Sequence, residues 1–355
     1  MKFKIPWKAQ TTAYLILQAV HSLLSRLKKR RKSGLDISFY CNYQQTTGAT
    51  VAISRIANQL SCEHRVDAYV KPFGGYSRHL DLSVRQYFRP ESLNGRLVFV
   101  DIEQENEIVE NLLRDRKQVL LTCHAFPMLL HSVPQPKLAK NLALSTYIHF
   151  VSSFQRSEFI RKYPEIRIES KSFVIANFTR PSVKDTKTRN VGIVGHLNRK
   201  PKNALKGIQL AQQSNANLIQ CWGSDTIYEL EDLHAYSKVR LNGWTNSIPK
   251  MHRSFDVLLS TSRSETFGLV VVEALSAGIP CVLSDIPVFR ELYSDCAGIV
   301  FLTGNDQQDI GSINQLLDQA QSLKQGIIQF WQDNFSDQAI KSMWRDKLLH
   351  LDSLD

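Results

Sequence analysis

Two glutamates, Glu265 and Glu273, stand eight positions apart in Glu265-Thr266-Phe267-Gly268-Leu269-Val270-Val271-Val272-Glu273-Ala274-Leu275. Leu269, Val272 and Leu275 recur at helical intervals, so the spacing predicts a loop through Phe267-Gly268 that runs into a helix. Glu265 then precedes the helix and Glu273 lies inside it. Carboxylates near a helix N-terminus accept hydrogen bonds from sugar hydroxyls. The N–H groups of the first turn, which have no intrahelical carbonyl, can meanwhile hold an anionic phosphate. A nucleotide sugar offers both kinds of partner.

A second cluster carries the opposite charge. Val191-Gly192-Ile193-Val194-Gly195 reads as a strand, and His196-Leu197-Asn198-Arg199-Lys200-Pro201-Lys202-Asn203 follows it as a loop. Ala204, Ile208 and Ala211 then continue as a helix. When a glycosidic bond to a diphosphate breaks, negative charge collects on the leaving oxygens. Fixed cations stabilise that charge more in the transition state than in the ground state. The bland reading of the same loop is a solvated basic turn. A third candidate is His124, which ends the apolar run Leu120-Leu121-Thr122-Cys123. The carboxyl end of a parallel strand is where ligands gather in open α/β sheets; the plain alternative is a histidine bonded within a loop.

The glutamate pair and its flanks resemble the Glu-x7-Glu signature of the retaining glycosyltransferases of family 4. The likeness extends from about residue 190 to 302. It takes in Leu241-Asn242-Gly243-Trp244, Phe255-Asp256-Val257-Leu258-Leu259-Ser260-Thr261-Ser262, Ala277-Gly278-Ile279-Pro280-Cys281-Val282 and Ala297-Gly298-Ile299-Val300. The resemblance implies the GT-B fold: two Rossmann-like, doubly wound α/β domains facing a cleft, with a C-terminal helix crossing back to the first. It implies roles as well. Glu273 would accept hydrogen bonds from ribose hydroxyls and Glu265 from hydroxyls of the transferred sugar. The amides of Phe267, Gly268 and Leu269, next to Thr266, would meet the sugar and the distal phosphate. Gly223, Gly243 and Trp244 would flank the nucleobase, and His124 would touch a sugar hydroxyl or orient the reacting centre. Lys202 matches the family's lysine. His196 stands where an arginine is usual, so either His196 itself takes that role or Arg199 or Lys200 supplies the charge. Only Gly48 represents the pair of glycines common in the first loop, either close to the donor or acceptor or as an ordinary turn. No metal is expected, since no Asp-x-Asp motif is evident, and no further cofactor is implied.

The first half reads as strands alternating with helices: Asp36–Cys41, then a turn at 46–50 and a helix from Val51 to Leu60. Further strands are expected at Val66–Val70, Leu97–Asp101, Val119–Cys123 and Ile148–Val151, with a helix at Glu105–Leu113. Phe173 to Pro181 resembles the crossing between lobes, and Ser182 to Asn190 reads as a polar linker. Ala339, Met343, Trp344 and Leu348 recur at helical spacing near the end, with Trp344 read as a core residue. The expected division is 1–33, 34–181, 182–334 and 335–355.

The chain has 355 residues, enough for two cored domains, with 43% apolar and 22% charged residues. Its six cysteines show neither Cys-x-x-Cys nor metal-ligand spacing, and read as reduced core residues of a cytoplasmic protein. Of the net charge of +11, nine units come from Lys2, Lys4, Lys8, Arg26, Lys28, Lys29, Arg30, Arg31 and Lys32, which leaves +2 for everything beyond residue 34. Basicity so localised argues against a nucleic-acid-binding body. Ala13, Ile16, Leu17, Val20, Leu23, Leu24 and Leu27 form an apolar helical stripe, too mixed for a membrane span and without a cleavage site. Such a helix either lies on an anionic membrane surface or packs on the first lobe with its charged tail in water.

Together these readings predict a cytoplasmic or peripheral inner-face enzyme. It would move a hexose or deoxyhexose from a UDP- or GDP-linked donor to a lipid-linked or cell-surface polysaccharide acceptor. The alternatives are a transferase for a small soluble acceptor and a catalytically silent GT-B glycan-binding or scaffold protein.

Overall fold

The computed structural model describes residues 18–20, 22–25, 35–42, 47–72, 75–124, 135–245 and 247–352. These form two compact units. The first holds the chain up to Val151, Gln155–Ile175 and Trp344 onward; the second holds Ser152–Phe154 and Ala176–Met343. The main division therefore falls after Ile175 and not after residue 181. The last helix, Asp337–Asp352, is itself divided, only its part from Trp344 onward grouping with the first unit.

In the first unit a parallel sheet has the order β3-β2-β1-β4-β5-β6-β7. Its strands are β1 (Asp36–Cys41), β2 (Arg65–Val70), β3 (Arg85–Tyr87), β4 (Leu97–Asp101), β5 (Gln118–Thr122), β6 (Tyr147–Phe150) and β7 (Ser172–Val174). Every residue of β4 is buried, as expected for a strand covered on both faces. Phe39 and Phe99 stack with centroids 4.4 Å apart, and Trp344 packs 5.5 Å from Phe99, fully buried. Two strands of this sheet escaped the sequence reading. β3 is short and polar, and β7 lies in the stretch read as an interdomain crossing. The helix after β1 begins at Gly48, capped by Thr47 in a reciprocal box with Thr50, where the sequence suggested a turn.

The second unit repeats the plan with the order β10-β9-β8-β11-β12-β13, again parallel throughout. Its strands are β8 (Val191–Gly195), β9 (Ile219–Gly223), β10 (Val239–Leu241), β11 (Val257–Ser260), β12 (Cys281–Leu283) and β13 (Ile299–Phe301). The chain winds outward from β8 in both directions, so β8 and β11 flank the topological switch point. The polar linker is also less loose than its composition suggests. Lys184 pairs with Asp256 at 2.8 Å with both side chains under a tenth exposed, and Asp256 also accepts from the Thr188 amide at 2.7 Å and from the Arg189 amide.

Of the N-terminal segment, residues 18–20 and 22–25 are helical. Gln18, Ser22 and Ser25 are buried against the edge of the first sheet. Gln18 donates to the Lys71 carbonyl at 3.1 Å, Ser22 to the Gln86 carbonyl at 2.7 Å, and Ser25 accepts from the Gln86 amide at 3.2 Å. Val20, Leu23 and Leu24 lie on the opposite side of the helix and are 47%, 51% and 48% exposed. The helix thus docks by its polar face and turns its apolar face outward. The stripe's remaining positions and the basic run after it lie outside the described residues. No described helix is long and apolar enough to cross a membrane.

Candidate functional site

The switch point of the second sheet gathers the charged candidates. Val257 stands opposite Val191 and Leu258 opposite Gly192, so the loops leaving β8 and β11 emerge side by side. They are tied together three times. The Arg263 amide donates to the Pro201 carbonyl at 2.8 Å, Thr261 Oγ1 to the Asn203 carbonyl at 2.8 Å, and Arg263 to Asn203 Oδ1 at 3.1 Å. Lys202, in a short 3-10 turn, then reaches Glu265: Nζ lies 2.5 Å from Oε1. The same oxygen accepts from Ser262 Oγ at 3.0 Å. The Lys202 and Glu265 side chains retain 23% and 14% of their exposure, so the pair is sheltered but reachable.

The loop from Glu265 into the next helix is held from beneath. Phe267 is buried, and its carbonyl accepts from Tyr293 Oη at 2.8 Å; the Thr266 carbonyl accepts from Ser152 Oγ at 2.9 Å. Gly268 caps the helix Leu269–Ser276 in a left-handed conformation with φ of 87°. A Cβ there would sit 2.7 Å from the Phe289 ring, so both backbone angle and space call for glycine. Glu273 lies one turn into that helix, half-buried.

Gly223 and Gly243 end β9 and follow β10, beside Gly195 at the end of β8. A Cβ at Gly223, whose φ is 119°, would lie 2.0 Å from the Gly195 carbonyl oxygen. The two strand ends approach as closely as bare backbone permits. Trp244 follows, 61% exposed, its ring 4.7 Å from that of His196. Burial, then the charges of Arg199 and Lys202, lower the pKa of His196 below the ordinary imidazole value. Arg199 and Lys200 are exposed on the same turn. Among the described residues, no group of three or more His, Cys, Asp or Glu side chains is gathered where a metal could bind.

In the first unit Gly48 opens a helix. His124 lies just past β5, half-buried, with Nε2 3.1 Å from Thr122 Oγ1. Burial pushes its imidazole pKa down to about 3, with His149 adding to the shift.

Sequence reading missed Ser262, Asn203, Arg263 and Tyr293, which hold the charged pair and its loop in place. Ser262 and Arg263 sit three and two residues before Glu265, a visible signal. Asn203 and Tyr293 gave none, because their contacts are long-range.

Residues 175–329 match the family described as glycosyl transferases group 1. The O-antigen biosynthesis glycosyltransferase WclY of Escherichia coli is 33% identical over 91 residues, 26% of this chain and 26% of that protein. The match thus spans about a quarter of that relative's length. An Escherichia coli UDP-Gal:alpha-D-GlcNAc-diphosphoundecaprenol alpha-1,3-galactosyltransferase is 36% identical over 55 residues, 16% of this chain and 14% of that one. Among solved structures, Anabaena HepE in complex with UDP and glucose superposes with a TM-score of 0.69 at 16% identity, covering 89% of this chain and 99% of that one. Sucrose-phosphate synthase from Thermosynechococcus elongatus gives 0.71 at 14% identity over 90% and 99%. The fold is GT-B. In this GT-B chain the family match falls on the unit that carries Lys202, Glu265 and Glu273.

Proposed function

We propose that this protein is a retaining glycosyltransferase. It moves a hexose or deoxyhexose from a UDP- or GDP-linked donor to a hydroxyl of a lipid-linked or cell-surface polysaccharide acceptor, on the cytoplasmic side of a membrane. The observation that carries the reading is the Lys202–Glu265 contact at the second sheet's switch point, beside the N-terminus of the Leu269–Ser276 helix. A cation, a carboxylate and first-turn amides in one place suit a sugar diphosphate.

Donor binding would part the pair. Lys202 would turn to the diphosphate and stabilise its charge as the bond to C1 breaks; Glu265 would accept from hydroxyls of the sugar. Glu273 would hold the ribose, and the amides of Phe267, Gly268 and Leu269 the distal phosphate. Gly223, Gly243 and Trp244 would bound the base, and Arg199 or Lys200 would add the remaining charge. His124 would accept from a hydroxyl of the transferred sugar. Retention fits displacement on the face the leaving group departs from, without a covalent intermediate.

The N-terminal helix supports a membrane-bound acceptor. Its outward apolar face and the basic run Arg26–Lys32 complement an anionic lipid surface. A thermal-shift panel of UDP- and GDP-sugars tests the donor reading, because a ligand that binds the folded state raises the melting temperature. The anomeric configuration of the product, read by NMR with the donor that binds, tests retention. A protein that binds donors yet neither transfers nor slowly hydrolyses them would be the silent GT-B glycan-binding alternative.

A further inference from the structure

Behind His124 runs a chain of hydrogen bonds that the proposed reaction does not itself require. His149 Nε2 lies 2.8 Å from the Ile175 carbonyl oxygen, His149 Nδ1 lies 3.1 Å from Thr122 Oγ1, and Thr122 Oγ1 lies 3.1 Å from His124 Nε2. The sheet builds this chain. Thr122 and His149 are direct partners on β5 and β6, so their side chains rise on the same face of the sheet. The His149 ring cannot swing away, since Phe173 stacks on it with centroids 5.6 Å apart and Trp344 meets it edge-on at 4.9 Å. His149 and Thr122 are both buried.

The polarity of the chain follows from its far end. A carbonyl oxygen only accepts, so His149 Nε2 carries a proton. Burial holds the His149 imidazole neutral, its pKa pushed down to about 4 against the opposing bond to Ile175. A neutral ring has one proton, so its Nδ1 accepts and the Thr122 hydroxyl donates to it. Having spent its only proton, Thr122 Oγ1 can meet His124 Nε2 only as an acceptor.

We infer that Thr122 and His149 are positioning residues that fix His124 as the neutral Nε2–H tautomer and leave Nδ1 as its accepting nitrogen. This deepens the proposed reaction and rests on it for one point only, that His124 accepts from a sugar hydroxyl. An imidazole held with Nδ1 protonated would offer that hydroxyl a donor where an acceptor is needed. Thr122 and His149 thus determine which hydrogen bond His124 can make without touching the sugar themselves.

The tautomer is read directly in the resting protein by long-range proton–nitrogen NMR of the 15N-histidine-labelled full chain. The expected spectrum at pH 7 shows both rings neutral, each with its proton on Nε2. Thr122→Val keeps the shape but removes the Oγ1 acceptor that faces His124 Nε2, and should give His124 a mixed or inverted tautomer signature. Thr122→Ser should restore the wild-type pattern. A melting temperature close to wild type separates this effect from misfolding. With an active donor, Thr122→Val should lower kcat on the order of tenfold, with much less change in donor KM, and Thr122→Ser should recover most of it. A resting His124 protonated on Nδ1, or an unchanged tautomer in folded Thr122→Val, overturns the inference. If no nucleotide sugar is used at all, the function fails while the tautomer still stands or falls by its spectrum.

Discussion

Lys202 and Glu265 each gain from the other in the resting protein, which shapes what their replacement does. Lys202→Ala removes the cation proposed to meet the leaving diphosphate and leaves a sheltered carboxylate bonded to Ser262. The expected loss is about 3 kcal/mol of transition-state stabilisation, on the order of a hundredfold in kcat/KM. A loss below about threefold in steady-state assays would take Lys202 out of the mechanism. Glu265→Gln keeps the size and one accepting oxygen but releases the lysine. It should lower turnover more than donor affinity, which turnover and isothermal titration measure separately. Ser262 was not foreseen at this site, although it lies only three residues from Glu265. Its contact arises because the loop curls back on itself, and periodicity does not report such a bend.

At the scale of elements, the strand ends do the positioning. Gly195 and Gly223 bring two strand termini into backbone contact, and the tied loops after β8 and β11 set Lys202 against Glu265. The N-terminal helix illustrates a different logic. Its apolar stripe was legible in the sequence, but the side that docks was not. Small hydroxyls and an amide satisfy the open edge at Lys71 and Gln86, and that leaves Val20, Leu23 and Leu24 facing out. The double variant Leu23→Ser, Leu24→Ser leaves the docked face intact. It should keep the melting temperature within a degree or two of wild type while cutting co-sedimentation with anionic vesicles by roughly tenfold. Added salt should weaken wild-type binding further. Equal recovery of variant and wild type with the vesicles would discard the membrane assignment.

For the molecule as a whole, acid should act earlier than the carboxylates alone would suggest. Burial is the leading cause that lowers the pKa values of His149 and His252 to about 4 and that of His124 to about 3. The unfolded chain takes up these protons near the ordinary value of 6.5 while the folded chain resists. The stability they represent is therefore fully present above pH 6.5 and lost as pH falls toward 4, by up to about 1.4 kcal/mol per pH unit for each ring. Burial opposes ionisation of Asp256, but the bonds from Lys184, Thr188 and Arg189 outweigh it and hold its carboxyl below the usual range. Its contribution is present above the ordinary carboxylate range and disappears only at still lower pH. Melting temperatures recorded from pH 7.5 to 4.5 should fall below pH 6.5, and His252→Gln should flatten the second unit's share; a level wild-type curve from 7 to 5 contradicts this account. What the sequence determined alone was what period and local order can encode: most strands of both sheets, the helix after Gly268, and the acid and base groups worth watching. Contacts between distant stretches belong to the tertiary structure. It paired Thr122 with His149 through strand register, seated Phe267 on Tyr293, pinned the supposed linker through Asp256, and turned the first helix's serines inward. Each of these depends on which residues meet across a sheet or beneath a loop, and sequence separation carries no record of that.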